Sequence, residues 1–204
     1  MDLTIVQQDA LTELINIAFG RAGAALSKLT GHRVELEVPE VSMCPIEEMA
    51  QILRPLLSDE LATVHQIFSG PVEGDALLVL DQRSASILKE LLTDEPALPL
   101  QVDRSAREVV TEIGNILLNA CLGTFGNLLR VQVSFSVPHL SLENLGSLVK
   151  SIAVDREGLR YALVIHSSFR LRNSSLRGYL VIVLGVASLE RLIEALEFWE
   201  REQQ

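Results

Sequence analysis

The chain has 204 residues, 48% hydrophobic and 22% charged, the balance of a folded globular protein rather than a disordered one. A formal net charge of −10, with 17 Lys and Arg of which no two are adjacent, argues against binding a nucleic-acid backbone or an anionic membrane. Cys44 and Cys121 and the scattered His32, His65, His139 and His166 make no zinc motif, and the thiols read as small buried hydrophobes of a reducing compartment.

The opening residues, MDLTIVQQDALTEL, carry no basic n-region and no long apolar core, so the chain reads as cytoplasmic rather than secreted. Ile5, Leu11, Leu14, Ile15, Ala18, Ala22, Ala25, Leu26 and Leu29 recur with a helical period and predict an amphipathic helix. Arg33–Val38 (RVELEV) alternates charged and apolar residues as a half-buried strand does, and Thr63–Phe68 is a further strand. Gly74–Leu80 is almost continuously apolar, which predicts a strand buried on both faces. A helix follows, with Ser84 as its expected N-cap.

Residues 93–103, TDEPALPLQVD, are rich in proline and acid and read as a linker. Beyond it come a second apolar helix through Glu112, an alternating strand over Val131–Val137 (VQVSFSV), and a strand over Tyr161–Phe169. Gly178–Leu184 is a second doubly buried strand, and a last helix opens at Ser188 with Phe198 and Trp199 expected in the core. The longest apolar stretches, such as Tyr179–Leu184, are strand-sized, so no membrane insertion is expected.

The second half repeats the first. With residue i laid over i + 99, Glu13 falls on Glu112, Asn16 on Asn115, Leu29 on Leu128, Val34 on Val133, Val38 on Val137 and Pro39 on Pro138. A later block, GDALLVLDQRSASILKELL from Gly74, lies over GYLVIVLGVASLERLIEAL from Gly178 at an offset of 104. The expected organisation is one domain over residues 1–204, built of repeats at about 1–95 and 103–204 that pack into one globule.

Asp9, Glu13 and Asn16 stand at i, i+4 and i+7, within about 60° of one another on a helix surface. Glu108, Glu112 and Asn115 repeat the stripe. Glu-x-x-Asn is a weak pattern taken alone, because exposed Glu decorates many helices. Its weight comes from repetition in halves whose other positions have diverged, with Gly20 opposite Asn119 and Lys28 opposite Asn127. Asn is a poor helix former, so its presence mid-helix in both copies asks for a reason. A carboxamide positions a water but cannot take its proton. It therefore suits a hydrolysis in which the water needs alignment, as in phosphoryl transfer through a loose transition state.

The run Asp9-x3-Glu13-x2-Asn16-x22-Pro39 resembles the signature of the CheC/CheX/FliY family of chemotaxis phosphatases, as does Glu108-x3-Glu112-x2-Asn115-x22-Pro138, with Glu108 in place of the usual Asp or Ser. EIGNI at Glu112–Ile116 and NIAFGRAGAALSKLTG from Asn16 strengthen the resemblance, which covers nearly the whole chain. It implies an α/β (α+β) fold with pseudo-twofold symmetry, its motif helices packed on one face of antiparallel or mixed sheets. It implies as substrate the aspartyl phosphate of a CheY-type response regulator. Asn16 and Asn115 would align the attacking water, Glu13 and Glu112 would contact the regulator's lysine, and Asp9 and Glu108 would help bind the partner. Pro39 and Pro138 would be structural. No cofactor would be bound by this chain, the Mg²⁺ belonging to the regulator; a CheD-type deamidase is a further partner of some members. Ile15, opposite Gly114, would crowd an incoming partner at the first site. The competing reading is a non-catalytic scaffold that holds a response regulator or a flagellar-switch component.

Overall fold

The structure is a computed structural model that describes residues 3–37, 40–55, 57, 60–93, 104–154, 160–171 and 174–203. The first half runs α1 (Ile5–Thr30), β1 (Val34–Leu36), β2 (Glu40–Pro45), α2 (Ile46–Leu53), β3 (Leu61–Ser69), β4 (Gly74–Asp81) and α3 (Gln82–Thr93). The second runs α4 (Arg104–Leu129), β5 (Ser134–Phe135), β6 (His139–Glu143), α5 (Leu145–Val154), β7 (Arg160–Leu171), β8 (Ser174–Gly185) and α6 (Val186–Gln203). The order helix, two strands, helix, two strands, helix thus occurs twice. Of the expected linker, only Thr93 lies within the described residues.

Local chemistry sets the helix ends. Thr4 caps α1 reciprocally: its hydroxyl accepts from the Gln7 amide at 3.2 Å while the Gln7 side chain accepts from the Thr4 amide at 2.9 Å. The helix stops at Gly31, whose φ of 71° lies in the left-handed region and whose N–H donates to the Ser27 carbonyl. In the opposite half, the equivalent position is Arg130 at φ 52°.

The strands form one antiparallel sheet in the order β1-β7-β8-β4-β3-β5, with β2 also on β7 and β6 also on β3. Each half therefore lends its first two strands to the other half's sheet: β1 and β2 pair with β7, and β5 and β6 pair with β3. The halves meet at the centre through β4 and β8, from Gly74 opposite Leu184 to Val79 opposite Tyr179.

Side chains alternate across these strands between two apolar layers. Ala76, Leu78 and Leu80 of β4, with Leu180, Ile182 and Leu184 of β8, face α1, α3, α4 and α6. Leu77 and Val79, with Tyr179, Val181 and Val183, face α2 and α5. The near-continuous apolar runs of β4 and β8 are explained by this coverage on both faces.

Several sequence expectations are revised. Ile5 and Leu29, at the ends of α1, are 80% and 61% exposed. The expected strand Val131–Val137 reduces to β5, because Val131 is tied back to the end of α4 by its N–H bond to the Gly126 carbonyl, and Val137 is exposed. Ser84 is not the cap of α3: the Asp81 carboxylate accepts from the Ser84 amide and hydroxyl, at 2.6 and 2.8 Å. Ser188 lies inside α6, and its hydroxyl accepts from the Glu73 amide instead. Trp199 packs on the core, whereas Phe198 stays half-exposed with the Arg130 guanidinium 5.4 Å from its ring centroid. Helices α2 and α5 stand in segments for which the sequence predicted no element. Each is short and buries three residues at i, i+3 and i+7: Ile46, Met49 and Leu53, and Leu145, Leu148 and Ile152.

Among the described residues one helix, Arg104–Leu129, is long and apolar enough to cross a membrane. Its apolar side is occupied by the fold itself, with Ile113, Leu117, Leu118, Cys121, Leu122 and Phe125 in the core.

Candidate functional site

Both motif helices lie on the same face of the sheet and pack against each other. On α1, Leu11, Leu14, Ile15 and Ala18 are buried, which leaves Asp9, Glu13 and Asn16 exposed on the opposite stripe. On α4, burial of Val110, Ile113, Gly114 and Leu117 leaves Glu108 and Glu112 exposed and Asn115 half-buried. The two acid-acid-amide stripes thus sit on neighbouring helices of one layer. Pro138 is half-buried ahead of β6, and Pro39 lies outside the described residues.

The residue before each asparagine points inward. Ile15 is 0% exposed and packs in the core. It cannot crowd a docking partner, contrary to the sequence expectation, because its side chain is enclosed in the core. Gly114 has its own packing reason: a Cβ there would lie 2.6, 2.7 and 2.9 Å from three side-chain atoms of Val64 on β3. Helix α4 approaches β3 so closely at this point that no side chain fits.

The surroundings of the two stripes differ. Glu108 pairs with Arg104 one turn earlier, Oε1 to Nε 3.0 Å, whereas the residue one turn before Asp9 is Ile5. Asn115 accepts a hydrogen bond through Oδ1 from the Asn119 amide at 2.7 Å, whereas the residue one turn after Asn16 is Gly20. A cleft of about 370 Å³ flanks the second stripe, bordered by Arg107, Glu108, Glu112, Pro138 and His139. Arg107 makes no ion pair among the described residues.

His139 belongs to a polar group that spacing in sequence did not reveal. Register across β3 and β6 sets it directly opposite His65, ring centroids 5.2 Å apart, and His65 Nε2 lies 3.0 Å from Asp75 Oδ1. Burial and then the neighbouring His65 push the His139 pKa down from its ordinary value, with Glu143 acting the other way. The signal available in the sequence was the strand pairing, which sequence alone does not specify.

The thiols supply no nucleophile. Cys121 is pushed up to about 12 by burial, and Cys44 to about 11 by burial and then by Glu48 and Glu47. Among the described residues there is no group of three or more His, Cys, Asp or Glu placed to hold a metal ion. What the stripes offer is a pair of alignable amides, each beside acids able to meet a cation on another molecule.

Fold and site together define an antiparallel-sheet domain that presents two Glu-x-x-Asn helices side by side on one layer. No protein-family model matches the chain. It is similar to the CheY-P phosphatase CheC of Bacillus subtilis, 23% identical over 196 residues that make up 93% of each protein. It is also similar to the flagellar motor switch phosphatase FliY of the same organism, 22% identical over 143 residues, 69% of this chain and 37% of that protein. Its fold matches the crystal structure of Thermotoga maritima FliY with a TM-score of 0.75 at 19% identity, over 97% of this chain and 98% of the other. In sequence and in fold the chain is similar to members of the CheC/CheX/FliY family.

Proposed function

We propose that the protein is a phosphatase that removes phosphate from the aspartyl phosphate of a CheY-type response regulator. The observation that carries this reading is the repeated stripe, Asp9, Glu13 and Asn16 beside Glu108, Glu112 and Asn115, presented on two adjacent helices whose other faces are buried. The name of the full-length Bacillus relative, a CheY-P phosphatase, supports it.

Asn16 and Asn115 each accept a hydrogen bond from the attacking water and turn its lone pair toward phosphorus. The amide cannot act as a base, so the gain comes from alignment. Glu13 and Glu112 meet the regulator's active-site lysine, while Asp9 and Glu108 fix the register of docking. Pro138 has a structural role ahead of β6. The Mg²⁺ and the phosphorylated aspartate belong to the regulator, and the reaction proceeds in the cytoplasm where the regulator works. A CheD-type deamidase is a second candidate partner.

The test compares phosphate loss from a phosphorylated regulator with Mg²⁺, alone, with wild-type chain, and with Asn16→Ala/Asn115→Ala. Wild-type acceleration that the double substitution removes is the expected outcome. Acceleration surviving in the double variant would sink the assigned residues. Regulator binding without acceleration would leave the non-catalytic scaffold.

A further inference from the structure

We propose that Asn119 is a positioning residue for Asn115, so that the second stripe holds a pre-aligned amide and the first does not. The inference rests on the phosphatase reading above and deepens it for one of its two sites.

Asn119 follows Asn115 by one helical turn, which stacks the two side chains on the same face of α4. Its Nδ2 donates to Asn115 Oδ1 at 2.7 Å, and both residues are half-buried. A carboxamide oxygen has two lone pairs. The donated N–H occupies one and fixes the plane of the Asn115 amide. The second lone pair remains for the attacking water, in an orientation set before any partner arrives.

The arrangement carries a cost that packing alone does not explain. Asn is disfavoured within a helix, and Asn119 Oδ1 is buried without a hydrogen-bond partner. A residue kept for filling space would not need a second buried amide oxygen. On α1 the matching position is Gly20, which is exposed, and an added Cβ there would meet nothing within 4 Å. Asn16 is exposed and has no hydrogen-bonded neighbour one turn on to hold it. The two amides therefore differ in how much rotamer freedom must be lost when water is aligned.

The open space at Gly20 also allows the bond to be transplanted. In an Asn16→Ala background, where only the second site works, Asn119→Ala should lower kcat about tenfold with KM nearly unchanged. Asn119→Asp, nearly identical in shape but unable to donate, should lose as much. In an Asn115→Ala background, Gly20→Asn should raise kcat of the first site several-fold. The side-chain NH₂ signal of Asn115, followed by NMR in the unbound chain, should gain mobility in Asn119→Ala.

Undiminished kcat in Asn119→Ala, or full activity in Asn119→Asp, would overturn the proposal, as would an Asn16→Ala chain that does not turn over at all. If wild type itself fails to accelerate phosphate loss, the phosphatase reading falls and takes the catalytic role of Asn119 with it. An Asn115 NH₂ signal unchanged by Asn119→Ala would refute the lock itself, whatever the activity.

Discussion

The helices α1 and α4 start from the same stripe and solve different packing problems. At the residue before the asparagine, α1 buries Ile15 completely, while α4 has Gly114 pressed onto Val64 of β3. At the residue one turn after it, α1 has exposed Gly20 and α4 has Asn119 bonded to Asn115. At the helix end, α1 uses Gly31 for the left-handed turn and α4 uses Arg130. Both helices carry the acid-acid-amide stripe, whereas the residue before the asparagine differs with what each helix packs against.

Exchanging the two solutions should break each half by a different mechanism. Ile15→Gly removes a fully buried side chain and adds helix-interior glycine, so urea unfolding should show a loss of about 3–5 kcal/mol. Gly114→Ala improves intrinsic helix propensity by up to about 1 kcal/mol, but its Cβ collides with Val64, itself 0% exposed. Overpacking should win, with a net loss of about 1–3 kcal/mol; a stabilised Gly114→Ala would refute the close approach of α4 to β3.

The helix ends predict smaller changes of opposite sign. Gly31→Ala forces a Cβ into the left-handed region and should lower stability by about 1 kcal/mol in the same measurement. Arg130→Gly relieves that conformation but gives up the contact with Phe198, so the net gain should stay below about 1 kcal/mol.

The smallest effect concerns pH and separates His139 from Glu40, its counterpart in the first half. The folded pKa of His139 is depressed, so the folded state binds fewer protons there than the unfolded chain does. Its contribution is therefore present above the ordinary histidine pKa, about 6.5, and is lost as pH falls through the lowered folded value. His139→Gln should flatten this part of the stability–pH curve between about pH 7 and 5, measured by urea midpoints. An unchanged slope would show that His139 does not contribute to this part of the curve.

Much of the fold was legible because its signals are local. The helical period of α1 and the doubly apolar β4 and β8 can both be read from neighbouring residues. The motif stripe was legible for the same reason, since spacings of three and four residues place Glu13, Asn16, Glu112 and Asn115 on helix faces without knowledge of the fold. The short helices α2 and α5 were not, because eight and ten residues carry too few apolar positions to separate a helical period from a strand.

The sequence by itself placed the two stripes on helix faces, because covalent spacing and helix geometry suffice for this. Only the tertiary structure decided that Ile15 faces the core, that Gly114 lies against Val64, that Asn119 donates to Asn115, and that His139 meets His65. The contacts at Ile15, Gly114 and His139 join segments far apart in the chain. They depend on how each half lends its first two strands to the other's sheet, and register across that exchange is set by packing both faces at once. The asparagine pair is local in sequence, and both of its residues are half-buried in the folded chain.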